Sequence, residues 1–231
     1  VVAWPIPRLA PVMTTVRRRP SASTAGRFSP LPLMGATLRQ TRLLFQGPFA
    51  ASYTRAMCAR YEMSASPRTI MERFHLDAPP PVANTDDMRP TDQALIIGRD
   101  GPRLMRWGLT VSWDKKPLIN ARAETLMEKA TFRPLLEQRC VVPMTAYLEW
   151  RKTDDGSKRK NRISMADGQP AAFAGLTDGE AFTIVTCAPA PAIAHIHNRM
   201  PVLLNPDEAA AWGDADRPFA QIRGLLHPCE A

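Results

Sequence analysis

The segment NRISMADGQPAAFAGLTDGEAFTIVTC, residues 161–187, reads as several short strands separated by Asp-Gly turns at Asp167-Gly168 and Asp178-Gly179. The same reading extends outward. Upstream, CVVPMTAYLEWRK (140–152) is again strand-like. QALIIGRDGPRLMRWGLT (93–110) reads as a hairpin, two apolar runs around Arg99-Asp100-Gly101-Pro102. Helical signals are few and short. SPRTIMERFHL (66–76) carries Ser66 as an N-cap and Pro67 at the first helical position. NPDEAAAW (205–212) repeats the device with Asn205 and Pro206. ETLMEKATFRPLLEQ (124–138) suggests one or two short helices, and APPPVANTDDMRPTD (78–92) a polar, Pro-rich loop. Short strands with a few interspersed helices predict an α+β fold with an antiparallel, barrel-like β core and short flanking helices.

The chain has 231 residues and a formal net charge of +8. A basic balance of this size suggests a polyanionic partner, but its distribution is uneven. Residues 1–56 contain eight arginines and no lysine or acidic residue, whereas residues 57–231 hold 22 basic and 22 acidic side chains. The excess therefore lies entirely in a Pro-, Arg- and Ser-rich leader without sustained hydrophobic period, expected to be disordered. It reads either as a transit-like segment that is removed or as residues upstream of the true start. The expected domains are this leader, 1–56, and a globular part, 57–231. No run of about 18 apolar residues occurs, so no transmembrane helix is expected. Cys58, Cys140, Cys187 and Cys229 form no zinc-binding pattern, and few, scattered cysteines fit a reduced cytosolic compartment.

Met57-Cys58 is the first candidate for chemistry. With Met57 as initiator and then removed, Cys58 becomes N-terminal. Its α-amine, with a pKa of about 7.7–8.0, and its thiol, about 8.5, would sit on adjacent carbons. Such a pair captures an aldehyde, the amine as an imine and the thiol closing a thiazolidine; an internal cysteine cannot. The alternative is a buried, inert thiol. LINARAET (118–125) alternates Asn120, Arg122 and Glu124, which in a strand would share a face. Asn offers a donor and an acceptor and Arg a fork suited to phosphate; the alternative is a polar strand edge. Glu149 stands between Leu148 and Trp150, either as a general acid/base with a raised pKa or as an exposed strand residue. His197 in HIHNRMPVLL (195–204) is a proton shuttle or a packed loop histidine. His195 and His197 have no further ligands nearby, so no metal is expected. In LMRWGLTVSW (104–113), Trp107 and Trp113 beside Arg106 could stack on unpaired bases or fill the core.

Six stretches in order resemble the SRAP family, the SOS-response-associated peptidases or abasic-site processing proteins. They are Met57-Cys58-Ala59-Arg60-Tyr61, Trp107-Gly108-Leu109, Asn120-Ala121-Arg122-Ala123-Glu124-Thr125, Arg139-Cys140-Val141-Val142-Pro143, Glu149-Trp150 and His197-Asn198-Arg199-Met200-Pro201. The resemblance implies an SRAP-like fold and single-stranded DNA containing abasic sites as partner. It implies that Cys58 traps the ring-opened sugar covalently and that residues preceding the cysteine are removed by self-cleavage. By the same resemblance, Asn120 orients the amine or sugar, Glu149 moves protons and His197 assists ring opening. Arg60, Arg122 and Arg199 are then expected to contact phosphates, and Trp107 to stack. A monomer acting in the cytoplasm, without cofactor, metal or membrane, is the expected setting. The pattern departs at Ala59, where the family usually has Gly, and at Ala146-Tyr147-Leu148, which supplies one aromatic where two are usual. Competing readings are a cysteine peptidase using Cys58 and His197 on other proteins, and a non-catalytic single-stranded-DNA binder.

Overall fold

The computed structural model describes residues 13–15 (backbone only), 59–82 and 84–226. Met57, Cys58, Cys229 and all of the expected leader except 13–15 lie outside the described residues. Those three residues form a strand, β1 (Met13–Thr15), where the sequence predicts none. In chain order follow β2 (Tyr61–Met63), helix α1 (Pro67–Arg73), β3 (Thr85–Met88), β4 (Gln93–Gly98) and β5 (Gly101–Trp107). Next come β6 (Leu109–Val111), β7 (Asp114–Leu118), β8 (Asn120–Arg122), and 3-10 turns at Ala123–Thr125 and Arg133–Leu135. Then come β9 (Arg139–Met144), β10 (Ala146–Lys152), β11 (Lys158–Ile163), β12 (Ala171–Thr177) and β13 (Ala181–Cys187). β14 (Met200–Pro201), β15 (Leu203–Leu204), α2 (Pro206–Gly213), α3 (Phe219–Ile222) and a 3-10 turn (Arg223–Leu226) complete the described chain. None of these helices is long and apolar enough to cross a membrane.

The α+β expectation and its barrel-like core are both realised. β5, β4, β9, β12 and β13 pair in that order, and β13 pairs back onto β5, closing a five-stranded ring. Closure leaves the ring without a free edge. Two ladders depart from the antiparallel expectation: β13 runs parallel to β5 through Ala181↔Arg106 and Phe182↔Trp107, and then parallel to β8 through Ile184↔Asn120 to Thr186↔Arg122. Parallel pairing needs a long connection, and the chain between β5 and β13 supplies it. A second sheet, in the order β1-β11-β10-β2-β3, packs beside the barrel.

Local chemistry explains most elements. α1 and α2 start as their caps predict. The Ser66 hydroxyl accepts the Thr69 amide, and Asn205 and Glu208 exchange hydrogen bonds in a capping box. The 93–110 hairpin turns at Arg99-Asp100, with Gly98 paired to Gly101 at φ +93°. The stretch 124–138 forms only 3-10 turns rather than α-helix. Asp86 and Asp87, read as loop, lie in β3 because Tyr61 and Met63 of β2 provide its partner. All seven residues of β12 and of β13 are buried. Their inward layer is thin at Gly175, where a Cβ would lie 2.8 Å from Cys140 Sγ. Trp212 of α2 covers this point, its indole N–H donating to the carbonyls of Cys140 at 3.1 Å and Gly175 at 3.2 Å.

Candidate active site

β13 assembles one half of the site. Along one edge it holds β8, which carries Asn120 and Arg122. Along the other it pairs with β14 through Thr186↔Pro201 and Cys187↔Met200, which brings in the preceding loop with His197 and Arg199. Asn120 is half-buried, Ala121 buried and Arg122 exposed, as strand alternation requires. The expected common face for Asn120, Arg122 and Glu124 stops at Arg122. There the backbone turns into the 3-10 segment, so Glu124 leaves the strand face.

Glu124 instead meets Arg199. The two Arg199 terminal nitrogens bond both carboxylate oxygens, Nη2 to Oε2 at 2.8 Å, and Nη2 also donates to the Thr186 carbonyl at 2.8 Å. The Arg199 side chain is only 12% exposed. Its terminal nitrogens thus fasten the His197 loop to β13 and to the turn after β8, while the buried Nε has no hydrogen-bond partner among the described residues. The Arg199 amide donates to His197 Nδ1 at 3.2 Å. That bond needs an unprotonated Nδ1 and so leaves the proton of the neutral imidazole on Nε2. The Arg199 carbonyl also lies 3.3 Å from Nδ1; the amide, whose hydrogen position the backbone fixes, is the donor that sets the tautomer.

The hydrogen bonds from Arg199 hold the Glu124 carboxyl below the usual carboxylate range. A depressed carboxyl contributes stability above its unfolded pKa of about 4.3 and loses it as pH falls through the folded value. Thermal melts from pH 7 to pH 3 should therefore show the native protein losing stability below about pH 4.3 more steeply than Glu124→Gln. Parallel curves for the two proteins would refute the assignment.

β10 builds the other half. Ala146 pairs with Glu62 and Tyr147 with Tyr61, and the Leu148 amide donates to the Arg60 carbonyl at 3.0 Å. Glu149 follows directly after that bond to Arg60, two residues along the chain from Cys58. Glu149 shares a face with Tyr147, whose ring meets Phe173 edge-on at 6.1 Å. The face turns inward, and Glu149 is 6% exposed, which removes the exposed-strand alternative. Arg60 is tied down on both sides, 3.1 Å from Asp87 Oδ1 and with its guanidinium 5.9 Å from the Trp150 ring centroid.

Trp107 corrects a second expectation. It is 0% exposed, donates its indole N–H to the Ile119 carbonyl at 2.9 Å, and packs parallel to Phe182 and edge-on to Tyr61. A ring with no exposed face cannot stack on a base. The signal was available in LMRW, where Met105 and Trp107 share the buried face of β5 and Leu104, at 41% exposure, points out. Gly108 follows at φ +117°, with room for no side chain: a Cβ would lie 2.8 Å from Pro117 Cβ. The exposed ring is Trp113, at 67%, in the turn between β6 and β7 and followed by exposed Lys115 and Lys116.

A family model described as SOS response associated peptidase (SRAP) matches residues 57–231. The chain belongs to the SRAP family. Among its relatives is the abasic site processing protein YoqW of Bacillus subtilis, 34% identical over 200 residues covering 76% of this chain and 88% of that protein. The abasic site processing protein YedK of Escherichia coli is 31% identical, covering 68% and 79%. The chicken (Gallus gallus) abasic site processing protein HMCES is 29% identical over 54% of this chain and 49% of its own length. Crystal structures of a Bacteroides thetaiotaomicron protein and a Bordetella bronchiseptica protein share the fold. The first has a TM-score of 0.65 at 25% identity over 75% of this chain and 88% of that one. The second has 0.64 at 26% over 75% and 95%.

Within this SRAP chain the described thiols are poor nucleophiles. Cys140 and Cys187 are buried, and burial pushes the Cys140 thiol up to about 12. Cys58 lies outside the described residues. Among the described residues no three His, Cys, Asp or Glu side chains gather into a metal site.

Proposed function

We propose that this protein processes abasic sites in single-stranded DNA by covalent capture through an N-terminal Cys58, acting as a cytoplasmic monomer. The observation that carries the reading is the β10–β2 register, which runs a buried carboxylate, Glu149, alongside the segment that leads from Cys58. The names of the relatives support the substrate class.

The chemistry follows from the groups present. The ring-opened deoxyribose offers an aldehyde. The α-amine of Cys58 adds to it, and loss of water gives an imine. The thiolate then adds to the imine carbon and the nitrogen takes up a proton, closing a five-membered thiazolidine. Addition and dehydration each need a proton moved, the work of Glu149. His197, with its proton on Nε2, serves ring opening, which needs a proton delivered to the leaving ring oxygen. Asn120 offers a donor and an acceptor to orient the amine or sugar. Exposed Arg122, with Trp113, Lys115 and Lys116, provides charge and an aromatic face for the strand. Self-cleavage ahead of Cys58 is part of the same reading where residues precede it.

Two forms of the chain, one beginning at Met57 and one at Val1, mixed with a single-stranded oligonucleotide carrying one abasic site, test this on a denaturing gel. A shifted band with the Met57 form alone is expected if the free amine is required. Bands with both forms are expected if the preceding residues are cleaved. Absence of a band from both would overturn covalent capture.

A further inference from the structure

Beyond the proposed catalytic groups, the β10–β11 ribbon carries an arrangement that folding does not favour. Its register sets Arg151 directly opposite Arg159 and Lys152 directly opposite Lys158. Like charges facing each other across a strand pair are destabilising. Among the described residues no carboxylate forms an ion pair with any of these four side chains. Asp155 of the connecting turn feels the charge of Arg159 but forms no ion pair with it. Asp155 is held by the Thr153 hydroxyl at 2.5 Å and the Ser157 amide at 3.0 Å, and Asp154 is exposed at the apex.

Alternation decides which pair faces the site. Arg151 and Glu149 are two residues apart on β10, as Arg159 and Asn161 are on β11, and Glu149 pairs with Asn161. The arginine pair therefore projects from the same face as Glu149, one cross-strand row further along the ribbon, about 6.5–7 Å away. Arg151 is half-buried and Arg159 exposed, so both guanidiniums remain open to a ligand. The Asn161 amide donates to the Glu149 carbonyl at 3.3 Å and the Arg159 carbonyl at 3.1 Å, bracing the two rows against each other.

We propose that Arg151 and Arg159 form a binding site for one phosphodiester of the lesion-bearing strand, adjacent to the abasic sugar. Two planar guanidiniums from facing strands match a phosphate's oxygens, and the anion relieves their mutual repulsion. The pair positions DNA and takes no part in proton transfer. This inference rests on DNA being the substrate.

The test uses single-stranded oligonucleotides with a tetrahydrofuran abasic analogue, which has no aldehyde, so that binding is read without covalent capture. The native protein and Arg151→Gln/Arg159→Gln are titrated by fluorescence anisotropy across a salt series. For the variant, the slope of log K against log salt should be shallower by about 0.7, the single-strand value for one phosphate. Replacing single phosphates by neutral methylphosphonates should then weaken the native protein, but not the variant, at one position next to the lesion. Equal slopes, or methylphosphonate effects that add to those of the variant at every position, would overturn the proposal. So would a lower melting temperature for the variant, since it would make the pair a structural support. A true abasic oligonucleotide run with the native protein on a denaturing gel reports separately on covalent capture, so either reading can fail without the other.

Discussion

Glu149→Gln should slow formation of the covalent DNA adduct by about 10²- to 10⁴-fold, the usual worth of a positioned general acid/base. The substitution keeps shape and polarity and removes only the capacity to take and give a proton. Glu149 is buried on the inward face of β10, so few water molecules can substitute for it. Imine formation consumes one proton transfer on addition and another on loss of water. In the proposed chemistry both fall to the same carboxylate, so the loss should appear in the rate and not in the affinity for the tetrahydrofuran oligonucleotide. Single-turnover gels at saturating DNA, with a parallel binding titration, read the two separately. A variant that crosslinks at the native rate would remove Glu149 from the chemistry. One that loses affinity and rate together would make it a DNA-binding or structural residue.

Arg139→Met should destabilise the fold by about 3–5 kcal/mol, the cost of breaking a buried, fully bonded charge site. The side chain is 2% exposed and ends in a web of backbone acceptors. Nε donates to the Trp212 carbonyl at 2.9 Å, Nη1 to the Leu136 carbonyl at 2.9 Å, and Nη2 to those of Asp214 and Arg217 at 2.7 Å each. Nη1 also meets Glu137 at 2.7 Å, and the guanidinium lies over the Trp212 ring. One residue of β9 thereby fastens the end of α2 and the turn after it to the barrel. Met fills similar volume and leaves four carbonyls without their donor. Lys should not rescue, because one ammonium cannot reproduce a planar fork with acceptors on several sides. Urea unfolding should show the loss, with a fall in melting temperature on the order of 10 °C. A loss under 1 kcal/mol for Arg139→Met would mean that water replaces the fork without cost.

The two halves of the site were legible to different degrees. Ser66-Pro67 and Asn205-Pro206 announced their helices because caps act on the backbone within three residues. The hairpin at Arg99-Asp100 was equally local. Glu149 and His197 stood out because a carboxylate between apolar neighbours and a histidine before Arg-Met-Pro are visible in one stretch of chain. The pairing of Arg199 with Glu124, 75 residues away, was not legible, since a charge alone reads the same whether it meets a phosphate or a carboxylate. Trp107 misled for a related reason: beside Arg106 it looked like a stacking platform, but in β5 alternate residues face opposite ways and its neighbour's charge says nothing about its own side.

Short-range patterns were enough to establish an α+β chain of short strands, the positions of its turns and caps, and the ordered motifs that mark an SRAP protein. These rest on interactions within a few residues, which any stretch of sequence carries complete. The closure of the barrel was not among them. Neither was the parallel pairing of β13 with β5 and β8, the Arg199–Glu124 clamp, nor the facing of Arg151 and Arg159 over the row of Glu149. Each of those depends on register between distant strands, and register follows from how the whole buried face packs, because a shift of one residue would turn every side chain of a strand to the other side.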